Sequence, residues 1–286
     1  MKCGFLRVWR VFLACFLGCF MAPAARSAEP FTQNVVPAYS DLADLTESSP
    51  LVIVAEIRAV IPILPPSAGQ TRARFYVEAR GQEALRGVMP SGQELRYLAD
   101  IALDAKGKPV IAKKAKVLLY ARAVTGGNGE LQLVAADAQL GWDAGLDARA
   151  RAILADFSSP SAPPRITGIS MALYQQGDLA GEGETQIFLT TANSAPAAII
   201  VQHKAGPDGA AGPVRWTVSF SEVVDATGEP PVPQTPAWYR LACFLPAALP
   251  VAANVGETQE AKDRAMGDYL MVVRALGPCG RLRHNP

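Results

Sequence analysis

The chain has 286 residues, with 27 Lys and Arg against 26 Asp and Glu and a formal charge of +1. That balance offers no basic excess to neutralise phosphates, so nucleic acid is excluded as an expected partner. With two histidines and five cysteines in the whole chain, little material exists for an elaborate metal centre.

The N-terminus comes first. "MKCGFLRVWR" carries Lys2, Arg7 and Arg10 and no acid, "VFLACFLGCFMA" is an apolar run over 11–22, and "PAARSAEP" follows. A basic start, a short apolar core and a small-residue exit are the parts of a secretory signal. Twelve apolar residues fall short of the ~20 that cross a bilayer as a helix. The small-x-small pair Ala25 and Ser27 predicts a cut that leaves Ala28 first, with a cut after Ala24 as second choice. "FLGC" at 16–19 offers a lipoprotein alternative, with Cys19 acylated. Removing 1–27 takes away four basic residues and no acidic ones, leaving 23 against 26, a charge of −3. It also removes Cys3, Cys15 and Cys19, so Cys243 and Cys279 are expected to form one disulfide in an oxidising compartment.

Residues 31–157 read as a first, strand-rich domain. "YSDLADLTE" suits a short helix. "LVIVAEIRAVI" (51–61) is rich in β-branched residues. "TRARFYVEAR" (71–80) alternates, with Ala73, Phe75, Val77 and Ala79 on one face and Arg72, Arg74, Tyr76, Glu78 and Arg80 on the other, as in a half-buried antiparallel strand. "ELRYLADI" (94–101), "KVLLYARAV" (116–124) and "ELQLVAADAQL" (130–140) supply three more, the last two joined by a turn at "GGNGE". "LDARARAILADF" predicts a helix with Leu146, Ala150, Ile153 and Phe157 on one stripe. Five locally paired strands are expected to curl into a small closed barrel, because closure removes exposed edges.

This succession of "ESSPLVIVAEI" (47–57), "EALRG" (83–87) and "KKAKVLLYA" (113–121) resembles the OB-like barrels of exported bacterial proteins related to the netrin and metalloproteinase-inhibitor modules. The resemblance spans residues 38–142, and departs from the pattern at Pro50, where Asp is usual, and at Ala55, where Gly is usual. The N-terminal cysteine through which the animal inhibitors grip a protease metal is also missing. The resemblance implies a barrel that binds protein and carries over no functional residue.

"SSPSAPP" (158–164) reads as a proline-rich linker, and 165–286 as a second β-rich domain closed by two helices. "GETQIFLTTA" (183–192) and "AAIIVQHKA" (197–205) form a hairpin, and "VRWTVSFSEVV" (214–224) adds a strand beyond the loop "GPDGAAGP". Thr235 followed by Pro236 starts one helix, as N-cap and first helical residue, and Pro246 breaks it. A second helix runs over 258–276 and stops at Gly277 and Pro278. The fold class expected is α+β, mainly β: a small OB-like antiparallel barrel, then a β-rich domain whose two C-terminal helices are clamped by the disulfide.

The stretch "GDLAGEGETQIFL" (177–189) raises the question of a site. A phosphate loop needs Lys and Ser or Thr after its last glycine, but here Glu184 and Thr185 follow Gly183. Asp178, Glu182 and Glu184 form a calcium candidate whose spacing departs from the calcium-loop pattern. The favoured reading is a glycine-rich turn with solvated acids. "GISMA" (168–172) falls one glycine short of a nucleophile elbow, and a hydrolase would have to combine Ser170, Asp178 and His203. No complete catalytic motif and no cofactor motif is present. Trp142, Trp216 and Trp238 read as core aromatics, and Trp238, Tyr239 and Arg240 as the densest candidate recognition patch.

The expected function is that of an exported, periplasmic or secreted, non-catalytic protein that binds another protein or a glycan of the cell envelope. The membrane is met only through the transient signal segment, and the oligomeric state stays open. An envelope hydrolase acting on peptide or cell-wall bonds is the alternative.

Overall fold

The computed structural model describes residues 36–283, except residue 68, residues 207–210 and residues 222–227. The signal segment, Cys19, His284 and much of the 206–213 loop therefore lie outside the described residues.

A short helix, α1 (Tyr39–Ser48), leads into β1 (Leu51–Pro62), whose first five residues are all buried. β1 is central in an antiparallel sheet of order β3-β2-β1-β4-β5, with β6 also paired to β4. The strands are β2 (Arg72–Arg86), β3 (Glu94–Ala102), β4 (Lys116–Ala123), β5 (Leu131–Leu133) and β6 (Gln139–Gly141). In β2 the predicted alternation holds: Ala73, Phe75, Val77 and Ala79 are buried, while Arg72, Arg74 and Arg80 are exposed. α2 (Ala144–Ser158) is capped by the Asp143 carboxylate, which accepts from Leu146 N, and buries Leu146, Ala150, Ile153 and Leu154. These residues join Leu42 and Leu45 of α1 in the first core.

Two expectations are corrected here. The single strand expected over 130–140 is two short strands separated by a turn at 134–138. That excursion loops around Tyr120, whose N–H donates to Ala138 O and whose carbonyl accepts from Val134 N. The barrel is also not closed. The sheet curls until its edges touch, with Arg96 N donating to Gly129 O and Asp100 N to Ala136 O. The turn at 134–138 interrupts β5 and β6 at that point, so no continuous ladder seals the edge.

The second half is a four-stranded antiparallel sheet of order β10-β9-β8-β7: β7 (Ile166–Gln176), β8 (Gly183–Thr191), β9 (Ala198–Ala205) and β10 (Ala211–Ser219). β7 is a strand that sequence reading does not foresee. Its register shifts at Ile166/Gly168 and Ile169/Met171, which breaks the alternation a pattern search needs. Ile187, Leu189, Ile199, Val201 and Trp216 form one face of this sheet with α3 (Pro236–Phe244) and α4 (Gln259–Leu276) packed on it. Both helices start as predicted, with Thr235 and Thr258 hydroxyls accepting from Trp238 N and Ala261 N. Cys243 in α3 is bonded to Cys279 past α4, with Cα atoms 4.8 Å apart. The protein is thus α+β and mainly β.

The two sheets meet along α1. Leu42 and Leu45 belong to the first core and Ala43 to the second. A polar seam runs beside them. Tyr239 Oη donates to Asp44 at 2.6 Å and Arg240 Nη1 to Glu47 at 2.6 Å. Arg240 Nε also donates to Pro163 O, so the proline-rich connection is held against α3. Arg281 pairs with Asp44, Arg283 with Asp137, and Asp41 accepts from the backbone N–H groups of Leu282 and Arg283.

Candidate functional site

The stretch that sequence reading singled out is the turn of the β7–β8 hairpin. Gln176 pairs with Gly183, and Gly177 N donates to Glu182 O. Gly181 has a φ of +83°, a conformation that favours glycine. Gly183 has a different reason: a Cβ there would stand 2.2 Å from Tyr174 Oη, because the Tyr174 ring lies across it. At Gly177 a Cβ would stand 2.7 Å from the Glu182 Cβ, so all three glycines have local reasons in backbone conformation or packing that need no bound phosphate.

Beside this turn, β8 and β9 carry a cluster that sequence reading missed. His203 of β9 pairs across to Gly183 of β8. Its Nε2–H donates to Asp268 of α4, 2.9 Å from each carboxylate oxygen. Thr185 Oγ1 donates to the same carboxylate at 2.5 Å. Both His203 and Asp268 side chains are largely withdrawn from water, 14% and 8% exposed. The Tyr174 ring meets the imidazole edge-on at 6.0 Å, and the Arg264 guanidinium lies over Tyr174 at 5.8 Å. Arg264 and Asp268 are four apart, so one face of α4 delivers both. One cue existed in the sequence. Asp268 falls on the apolar stripe Ala265, Tyr269, Val272 and Leu276, and a buried acid there demands a partner.

A shallow cleft of about 340 Å³ opens over this end of the sheet, lined by Gln175, Gln176, Glu182, Glu184, Gln202, His203 and Lys204. Gln175, Glu184, Gln202 and Arg215 stand in one row across all four strands. Glu184 accepts from Gln186 Nε2 at 2.7 Å and from Gln202 Nε2 at 3.1 Å, so its carboxylate is held in place. With Nε2 donating to Asp268, the imidazole presents Nδ1 as its second polar atom.

The other residues proposed from sequence are placed as follows. Asp178, Glu182 and Glu184 are not gathered around a point, and the described residues include no cluster of three or more His, Cys, Asp or Glu suited to a metal ion. Ser170, on β7, donates to Phe188 O of β8. It lies six residues from Gln176, the β7 residue nearest His203, or about 20 Å along the strand. Ser170, Asp178 and His203 are therefore not brought together. Trp238, Tyr239 and Arg240 are all buried. Trp238 Nε1 donates to Leu276 O, and the other two make the seam between the sheets, so their contacts are internal. Burial first, then the Asp44 carboxylate, pushes the Tyr239 phenol well above its usual range.

No family model matches this chain, and no curated protein matches it. Among the described residues no helix is long and apolar enough to cross a membrane.

Proposed function

We propose that this is an exported, non-catalytic binding protein of the cell envelope, and that its ligand is a glycan held at the open end of the second sheet. One observation carries the reading. The cleft is lined by three side-chain amides, two carboxylates, an imidazole and an ammonium group from three neighbouring strands. Such groups donate and accept in fixed directions, which suits ligand hydroxyls. Glu184 and Gln202 are oriented by each other and His203 by Asp268, so the polar lining is organised before a ligand arrives.

Export is supported by the N-terminal pattern of Lys2, Arg7, Arg10 and the apolar run 11–22, and by the Cys243–Cys279 bond. Intact mass of the protein from its host should lack 27 residues, or 24; a full-length product would defeat export.

Binding is tested by calorimetric titration with soluble oligosaccharides released from envelope material. Gln202→Ala and Glu184→Ala should each weaken binding about tenfold or more, while Ser170→Ala should leave it unchanged. Equal affinity in all three variants would remove the cleft from the binding site. Release of reducing ends during the titration would establish the hydrolase instead.

A further inference from the structure

The first sheet has a polarised end that plays no part in the proposed ligand site. The β1–β2 and β3–β4 connections emerge together there, tied by Leu103 N donating to Thr71 O. Their tips expose large apolar side chains: Leu64 is 74% exposed, Ile63 49% and Val110 49%. Around them stand Arg72, Arg74, Lys106, Lys108, Lys113 and Lys114, all exposed. Three carboxylates share this end, Asp100, Asp104 and Glu78, the last opposite Ala59, and Arg58 beside Ala59 adds a seventh cation. Asp100 is paired with Arg74 at 2.7 Å. Asp104 is held below the usual carboxylate range, chiefly by accepting the Lys108 backbone N–H. Seven cations against three carboxylates give this end an excess of four, in a chain whose formal total is +1. No lysine of this end makes an ion pair among the described residues.

We infer that this end docks on an anionic phospholipid surface, with Ile63, Leu64 and Val110 entering the headgroup boundary and the ring of lysines and arginines facing lipid phosphates. Three observations favour a bilayer over a protein partner. The apolar groups sit on projecting tips, a shape that enters a soft interface and leaves a rigid one poorly filled. Three exposed side chains supply far less than the roughly 1,000 Å² a stable protein interface buries. The cations are mostly lysines, compact charges on flexible stems that read charge density and not a particular geometry. Apolar insertion and Coulombic attraction acting together are what peripheral attachment requires.

The test is co-sedimentation of the protein, as recovered from its host, with vesicles of phosphatidylglycerol and phosphatidylethanolamine, and with vesicles of phosphatidylcholine alone. Binding is expected to the anionic vesicles only, and to fall as salt is raised. Ile63→Ser with Leu64→Ser should weaken it about tenfold or more. Lys106→Glu with Lys108→Glu should weaken it comparably and flatten the salt dependence. Both pairs change exposed residues, and unchanged circular dichroism will show that they fold. Any attachment through residues 11–22 would survive both pairs, so binding that neither pair alters overturns the proposal. So does binding to phosphatidylcholine of equal strength. Capture of an acidic envelope protein, lost in both variants and without vesicle binding, would overturn it in favour of a protein interface.

Discussion

Asp268 is the residue on which the end of the second sheet turns. It is buried on the apolar stripe of α4 and accepts hydrogen bonds from both Thr185 and His203. A buried carboxylate without such donors would cost several kcal/mol. Asp268→Ala strands two donors and should lower stability by about 2–4 kcal/mol, whereas Thr185→Val, which removes one neutral donor, should cost about 1. Urea unfolding of the two variants checks the order. Equal, surface-like effects would mean that the cluster does not hold α4 to the sheet. At this scale the sequence is only partly readable. His203 stood out because histidine is scarce, but its partner lies 65 residues away, and nothing in the sequence links the two. Trp238, Tyr239 and Arg240 show the opposite error. Their composition resembles a recognition patch, yet the same residue types serve a buried seam, because Arg and Tyr can satisfy carboxylates while covering apolar surface.

At the scale of elements, capping and proline signals proved the strongest. Thr235 accepts at the start of α3 and Gly277 ends α4 with a φ of +72°, both as the sequence indicates, while the structure adds Asp143 and Thr258 as caps of α2 and α4. Strands were legible where the alternation is unbroken, as in β2, and lost where bulges shift the period, as in β7. The excursion at 134–138 was invisible because its cause is the backbone of Tyr120 on another strand. The disulfide is the element-level device whose removal is most informative. It spans 36 residues between α3 and the end of α4. Chain-entropy arithmetic assigns a loop of that size roughly 3–4 kcal/mol. Cys243→Ser, or reduction of the wild type, should therefore lower the melting temperature by several degrees, about 2–4 °C for each kcal/mol in a chain of this size. Thiol counting on the unreduced, denatured protein is the direct check, since free Cys243 and Cys279 thiols there would end the assignment.

For the whole molecule, five of the seven tyrosines carry raised pKa values, with burial the leading cause in each. Tyr120 and Tyr269 are pushed up to about 12 from an unfolded value of 10. The folded state then holds protons that the unfolded chain has released. Stability is full below pH 10 and falls as pH rises towards 12. Phenolate absorbance and circular dichroism, recorded together, should change in one step in that window; smooth ionisation with the fold intact would contradict it. The sequence division at 158–164 falls between the two sheets, but α1 lends residues to both cores and Arg240 holds Pro163. Calorimetry decides whether they unfold as one unit or two. The shared helix and seam predict a single transition, and two resolved transitions would restore independent halves.

The bond between Asp41 and Leu282 N joins residues 241 apart in sequence. The groups that complete the polar face of α1 come from beyond α4, on the far side of both sheets in the sequence. Until they arrive, Asp41 and Asp44 lack their C-terminal donors and Ala43 lacks the core it packs against. Contacts closed over so long a loop carry a large entropic cost, so the polar face of α1 reports on whether both sheets are in place.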